Sequence, residues 1–285
     1  GYTLLEGGSE MKRRYFVSDI EKCIGCFNCL HACKDEHVGN NWLPVTLPQK
    51  LHEQYWLTTK EKVRGQHPMI DVAYLTEPCG HCEEALCVQK GNGAVYRRED
   101  GVVLIDQSKA TGDLSKLCPF GKISWNEEQG VSQKCTFCAH LLDEGWEQPR
   151  CAQACPLGAL QMRYEEREDM EKYIKQEGLE QLEFAHAAAK SAVWYKNLYR
   201  YTSLFAGGTV VKFEKGREIC FEGCLVVLYK NGIPVAQTET DPYGDFKFDR
   251  LNPGKYELSV CPKGYRANKM EFEINDSRYL GVFRM

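Results

Sequence analysis

With 285 residues, 43% of them hydrophobic and 27% charged, the chain has the composition of a globular protein and the length for two domains. Its formal charge of −4 counts every cysteine as neutral and excludes a basic nucleic-acid footprint, while no apolar run nears the roughly 18 residues of a membrane span. Fifteen cysteines is an odd count in a long chain with no visible export signal, which argues against a disulfide scaffold.

The first ten residues lack the basic and apolar regions of a signal peptide, so 1–10 reads as a leader or appended remnant before Met11. Residues 11–200 read as a cysteine-rich domain. A short strand over 14–18 enters the first cysteine loop and a helix over 30–37 leaves it. The stretch 38–76, with Trp42, Tyr55 and Trp56 among polar residues, is either a self-packed loop or a docking surface. Two extended runs, 94–99 and 102–106, flank Asp100-Gly101, a two-residue hairpin signal. A second hairpin over 123–126 and 131–134 delivers the chain to Cys135. Short elements alternating around cysteine loops suggest duplicated ferredoxin-like units. From 165 to about 189 the pattern is helical, with Met170, Tyr173, Ile174 and Leu179 on one face, although Gly178 interrupts it. The aromatic segment 193–201 is expected to pack back onto the cysteine domain.

Near Gly207-Gly208 the composition changes, and residues 201–285 read as a second domain. Alternating runs at 209–213, 224–229, 246–248 and 256–260 are separated by turns at Asn231-Gly232, 241–244 and 252–254, the signature of an all-β sandwich. The fold class is therefore α+β, a duplicated ferredoxin-like 4Fe–4S domain followed by an all-β sandwich.

The chemistry lies in the cysteines. Cys23, Cys26, Cys29 and Cys33 have the spacing of a bacterial-ferredoxin 4Fe–4S site, in which the fourth cysteine ligates the other cluster. Cys135, Cys138, Cys151 and Cys155 supply that other site. Soft thiolates suit iron–sulfur clusters, and each cubane takes four. The crossed rule assigns Cys23, Cys26, Cys29 and Cys155 to cluster one, and Cys135, Cys138, Cys151 and Cys33 to cluster two. Cys79, Cys82, Cys87 and Cys118 remain for cluster three. Pro156 and Pro119 follow their distal cysteines as in ferredoxins, whereas Lys34 after Cys33 is a departure. The alternative is a zinc-stabilised interaction protein, but a zinc ribbon has no need of the three-cysteine run 23–29. His81 and His140 read as residues beside the ligands or at the surface, and Lys22 and Lys134, each ahead of a first ligand, as solvated charges or else as charges that tune the potential of the nearby sulfurs. Cys220, Cys224 and Cys261 read as small buried hydrophobes. A P-loop, a dinucleotide fingerprint and a nucleophile elbow are all missing, so no catalytic residue is expected and the chain reads as an electron relay.

This cysteine layout resembles the iron–sulfur subunits of molybdopterin oxidoreductases of the dimethyl sulfoxide reductase family, which usually carry four clusters. Where that family has a fourth cysteine in its second group this chain has Gly91, and of its third group only Cys118 remains. The resemblance thus implies that one whole ligand set has been lost. The three-cluster pattern with a C-terminal β domain is similar to the small subunits of pyrogallol–phloroglucinol transhydroxylases and catechol dehydroxylases. The similarity runs through 91–96, 99–106, 125–128, 133–143 and 195–200, and covers Met11 to Met285. The β domain resembles transthyretin-like or Cna-B-like sandwiches at 240–246 and 251–256. The resemblance implies an electron-transfer subunit with three 4Fe–4S clusters, bound to a large subunit that carries the molybdopterin cofactor and acts on polyhydroxylated aromatics. A free-standing polyferredoxin is the alternative. The expected compartment is the cytoplasm, or export in folded form beside a signal-bearing partner.

Overall fold

The computed structural model describes residues 12–37, 48, 50, 53–183 and 189–285. The expected leader at 1–10 and Trp42 lie outside the described residues. The chain divides into two compact units, one formed by Gly1–Lys60 with Tyr74–Leu198, the other by Glu61–Ala73 with Tyr199–Met285.

The first unit centres on the strand Arg13–Asp19, which pairs antiparallel with Leu160–Glu165 and parallel with Val193–Lys196. Residues 193–198 of the aromatic segment therefore return to this unit, whereas Tyr199, Arg200 and Tyr201 belong to the other. Side chains alternate across a strand, so Tyr15 and Val17 face a buried cluster with Met170, Leu179 and Ala192, while Phe16 stacks on Phe137 at 4.0 Å. The helix Arg167–Glu177 stops well short of residue 189, because Gly178 takes φ +61° and closes it with a left-handed cap.

Two small hairpins follow the cysteine loops. Ile123–Asn126 pairs with Val131–Lys134, the residues expected. In the other, Val95–Arg97 pairs with Val103–Ile105, but the turn takes three residues rather than two. Arg98 N–H still reaches Val102 O at 2.8 Å, and Gly101 at φ +82° closes the loop. The cause is Asp100, whose carboxylate turns inward to accept from Arg14 Nε at 2.8 Å. Within 38–76, Thr58–Gln66 pairs with Met69–Glu77 in a long two-stranded sheet that neither reading of the stretch included. Trp56 is 1% exposed and stacks on His37 at 4.3 Å, so it is packing and not a docking anchor.

The second unit contains two four-stranded sheets. One has Leu204–Glu214 beside Arg217–Cys220, Asp245–Leu251 and Arg278–Arg284; the other runs Ile233–Glu239, Leu225–Lys230, Gly254–Cys261, Asn268–Ile274. Alternate residues of both, among them Phe246, Phe248, Leu258, Val260, Phe272 and Ile274, fill one apolar core. Beside it the fully buried Arg64 guanidinium is shared between Asp71 and Asp249, and donates to Ser203 O at 3.0 Å.

Candidate metal centres

Backbone geometry shapes the cysteine loops before any sulfur is considered. Three Cys-x2-Cys turns put the residue ahead of the second cysteine in the left-handed region, Gly25 at φ +67°, His81 at +40° and Phe137 at +59°, and in the fourth, Cys26–Cys29, Phe27 takes that conformation at +59°. At Gly25 a Cβ would also lie 2.4 Å from the Tyr74 ring, so glycine is required twice over. A bulky residue in this region is strained, and Phe137 is held there by burial at 1% exposure and by its stack on Phe16.

The two distal cysteines share another device, a Cys-Pro-x-Gly turn. Gly121 N–H and Gly158 N–H each donate at 3.2 Å to the carbonyls of Cys118 and Cys155. The chain then doubles back, so that Lys122 N–H points to Cys118 Sγ at 3.4 Å and Ala159 N–H to Cys155 Sγ at 3.2 Å. Phe137 N–H does the same for Cys135 Sγ at 3.4 Å. Backbone donors aimed at sulfur favour the thiolate and tune whatever it binds. The sequence carries this signal as two glycines, Gly121 and Gly158, three residues after Cys118 and Cys155; attention to the prolines alone passes over them.

The twelve sulfurs gather in three sets. Cys23, Cys26, Cys29 and Cys155 line a narrow hollow with a free volume of about 20 Å³. Cys79, Cys82, Cys87 and Cys118 line a cavity of about 330 Å³. Cys33, Cys135, Cys138 and Cys151 are all buried; burial and then the neighbouring Cys151, Cys135 and Cys138 push the Cys33 thiol far up. Thus Cys33 is brought to the later cysteines and Cys155 to the earlier ones.

Burial is also the main reason that the Cys29 and Cys87 thiols are pushed up to about 11 and the Cys82 and Cys138 thiols to about 12. A dry thiolate needs a cation beside it, so a metal at these sites would take the place of the protons. Among the described residues no three His, Cys, Asp or Glu side chains are arranged to hold a single metal ion. Four soft donors around each site, with backbone N–H groups behind them, fit a 4Fe–4S cluster.

The sets also have an order. Cys29 acts on both Cys33 and Cys151 of the buried set, while Cys79 acts on Cys135 by its charge and through its backbone N–H. The buried set is therefore the middle one. At one end Cys26 is exposed; at the other Cys82, Cys87 and Cys118 are half-buried.

The residues around the sulfurs differ from expectation in three places. Lys134 is not solvated: it is 3% exposed, with Nζ donating to Cys135 O at 2.7 Å and to Val103 O. His81 takes the first of its two expected places, beside the cysteines, at 2% exposure with Nδ1 accepting from Val103 N–H at 2.9 Å. Nothing in a lysine or histidine next to a cysteine announces burial, and only the tertiary packing reveals it. Cys224 is buried as expected, whereas Cys220 lies exposed on a short strand and Cys261 is half-buried. Lys22 is exposed, and His140 Nε2 meets Glu36 Oε1 at 2.8 Å. Lys34, the departure from the Cys-Pro pattern, uses its ammonium to tie down the carbonyls of Lys50 and Glu53.

The chain is similar to known proteins. Residues 70–165 match the 4Fe-4S dicluster domain family. The pyrogallol hydroxytransferase small subunit of Pelobacter acidigallici is 43% identical over 260 residues, covering 89% of this chain and 92% of that one. A probable anaerobic dimethyl sulfoxide reductase chain of Escherichia coli K12 is 33% identical over 150 residues, 51% of this chain and 71% of that one. The thiosulfate reductase electron transfer subunit of Salmonella typhi is 28% identical over 188 residues, 65% of this chain and 93% of its own.

Proposed function

The chain belongs to the family of iron–sulfur electron-transfer subunits that includes the pyrogallol hydroxytransferase small subunit, and from that premise we propose a three-cluster relay serving a large molybdopterin-binding subunit that acts on polyhydroxylated aromatics. In this reading Cys23, Cys26, Cys29 and Cys155 hold the first 4Fe–4S cluster, Cys33, Cys135, Cys138 and Cys151 the second, and Cys79, Cys82, Cys87 and Cys118 the third. Such clusters supply one-electron storage over a wide range of potentials. The chain's own residues do the rest. They order the three sites, exclude water from the middle one, and aim N–H donors at Cys118, Cys135 and Cys155.

The observation that carries the reading is continuity. The middle set is buried and has a neighbouring cysteine from each outer set, Cys29 on one side and Cys79 on the other. A protein that only needed metal for stability has no use for an ordered row. The first set is the end that meets the partner, since Ile24 at 60%, Phe27 at 39% and Leu157 at 49% exposure form an apolar rim around the exposed Cys26. The second unit is a docking or shielding module of the transthyretin or Cna-B type. The complex works in the cytoplasm, or is exported folded with its partner.

Dehydroxylation of a catechol needs reducing equivalents delivered through the relay. Transhydroxylation is redox-neutral overall, and the row then sets the resting oxidation state of the partner. Purification of the tagged chain from its anaerobic host tests the proposal. It should carry about twelve irons per chain and bring down a molybdenum-containing subunit that transforms a polyphenol, and Ile24→Glu should release that subunit while the iron stays. A chain recovered with full iron, alone, and reducing several unrelated enzymes would be a polyferredoxin. Stoichiometric zinc in place of iron would end the relay reading.

A further inference from the structure

Two buried polar side chains, His81 and Lys134, line the cavity of the third cysteine set, and electron relay as described so far gives them no task. They grip one residue between them, on the two peptide groups that flank it. Val103 N–H donates to His81 Nδ1 at 2.9 Å, and Val103 O accepts from Lys134 Nζ. Because Nδ1 is an acceptor, the imidazole is the neutral tautomer with its proton on Nε2. That Nε2–H is buried and has no hydrogen-bond partner among the described residues. A buried donor left alone costs about 1–3 kcal/mol, and such groups are rare in native proteins unless something else binds them.

Lys134 joins the second set to the third. Its Nζ also donates to Cys135 O at 2.7 Å, while the side chain lines the cavity of Cys79, Cys82, Cys87 and Cys118. Its charge pulls down the thiols of Cys87, Cys118 and Cys135 against the larger upward push of burial. The loop is rigid as well: Arg13 donates to His81 O at 2.7 Å, Arg97 donates to Cys82 O, and the His81 ring packs edge-on against Phe137 at 5.1 Å. The imidazole therefore has little freedom to turn its proton elsewhere.

Resting on the three-cluster reading, we propose that His81 and Lys134 set the potential of the third site: His81 Nε2–H is a hydrogen-bond donor, and Lys134 a fixed positive charge, toward the cluster held by Cys79, Cys82, Cys87 and Cys118. Reduction adds negative charge there. A donor and a cation stabilise the reduced form more than the oxidised one, so both residues raise the potential and make this end of the row the place where an electron rests.

The test is a redox titration followed by electron paramagnetic resonance, on the full chain isolated anaerobically with its iron. The third site's signal is identified as the one missing from Cys118→Ala. Lys134→Met should shift the oxidised-to-reduced ratio of that signal at fixed potential about tenfold toward oxidised, about 59 mV for one electron. Lys134→Arg should stay near the wild type. His81→Phe should shift the ratio the same way by less, and its backbone is tolerated because Phe137 holds the corresponding left-handed position. Unmoved midpoints in Lys134→Met and His81→Phe proteins with full iron would overturn the proposal. If Lys134→Met loses iron, His81→Phe decides alone, a fall supporting the proposal and no change overturning it. A wild-type chain without any iron–sulfur signal would instead sink the relay reading beneath it.

Discussion

In the second unit strands as long as Leu204–Glu214 build two sheets over one apolar core, whereas in the first unit Cys87, Cys135, Cys138, Cys151 and Cys155 hang from strands of four residues and helices of four or five. Isolated hairpins and single helical turns of that size are not stable in water. The first unit also buries a lysine, a glutamate and two histidines, groups that contribute little as hydrophobes. The comparison predicts that iron is part of the fold in one unit and irrelevant to it in the other.

The largest effect should come from removing iron. Anaerobic chelation is expected to strip amide-exchange protection from 123–134 and 150–155 while Leu225–Lys230 and Gly254–Cys261 keep theirs, since metal-binding free energy is folding free energy at such sites. Equal loss in both units would break the comparison. A sharper cut is Cys33→Ser, which replaces a soft donor with a hard one in the middle set. Iron should fall by about a third, with the signal of the Cys135 and Cys138 site lost and that of the Cys23 and Cys26 site kept. Loss of the latter would mean that the crossed grouping is wrong.

Much of this was legible because cysteine spacing is a covalent constraint on loop shape, and turn residues are local. The hairpin over 123–134 and the sulfur-bearing loops follow from neighbours in sequence. What stayed illegible was decided by distant partners. Thr58–Gln66 and Met69–Glu77 have mixed exposure, so no clean alternation marks them as strands. Asp100 lengthened its turn because Arg14 lies beside it in space. The solvated reading of Lys134 failed for the same reason, since its acceptor Val103 O comes from a strand far away in sequence.

A third prediction tests the second unit on its own terms. Arg64→Ala leaves Asp71 and Asp249 without their buried partner, and breaking such a pair costs about 3–5 kcal/mol. Denaturant-dependent amide exchange should show this loss in the second unit, with the iron content of the first unchanged. Iron lost in parallel would show that the two units do not stand independently.

The smallest effect is the acid sensitivity of the same network. Burial alone would raise the Asp71 carboxyl, but hydrogen bonds from Arg200 and Arg64 and the charge of Lys247 outweigh it and hold the group down at about 2. A carboxyl depressed in the folded state adds stability at pH values above its unfolded pKa of about 3.9, and that stability drains away as pH falls toward the folded value. Protection of Met69–Ala73 and of Leu225–Lys230 against exchange, corrected for intrinsic rates, should therefore weaken between about pH 4 and pH 2. Asp71→Asn carries no such titration. It should be less stable at neutral pH, yet lose less than the wild type over that window. Parallel curves for the two proteins would mean that Asp71 is an ordinary surface carboxylate, and that the second unit relies on its apolar core alone.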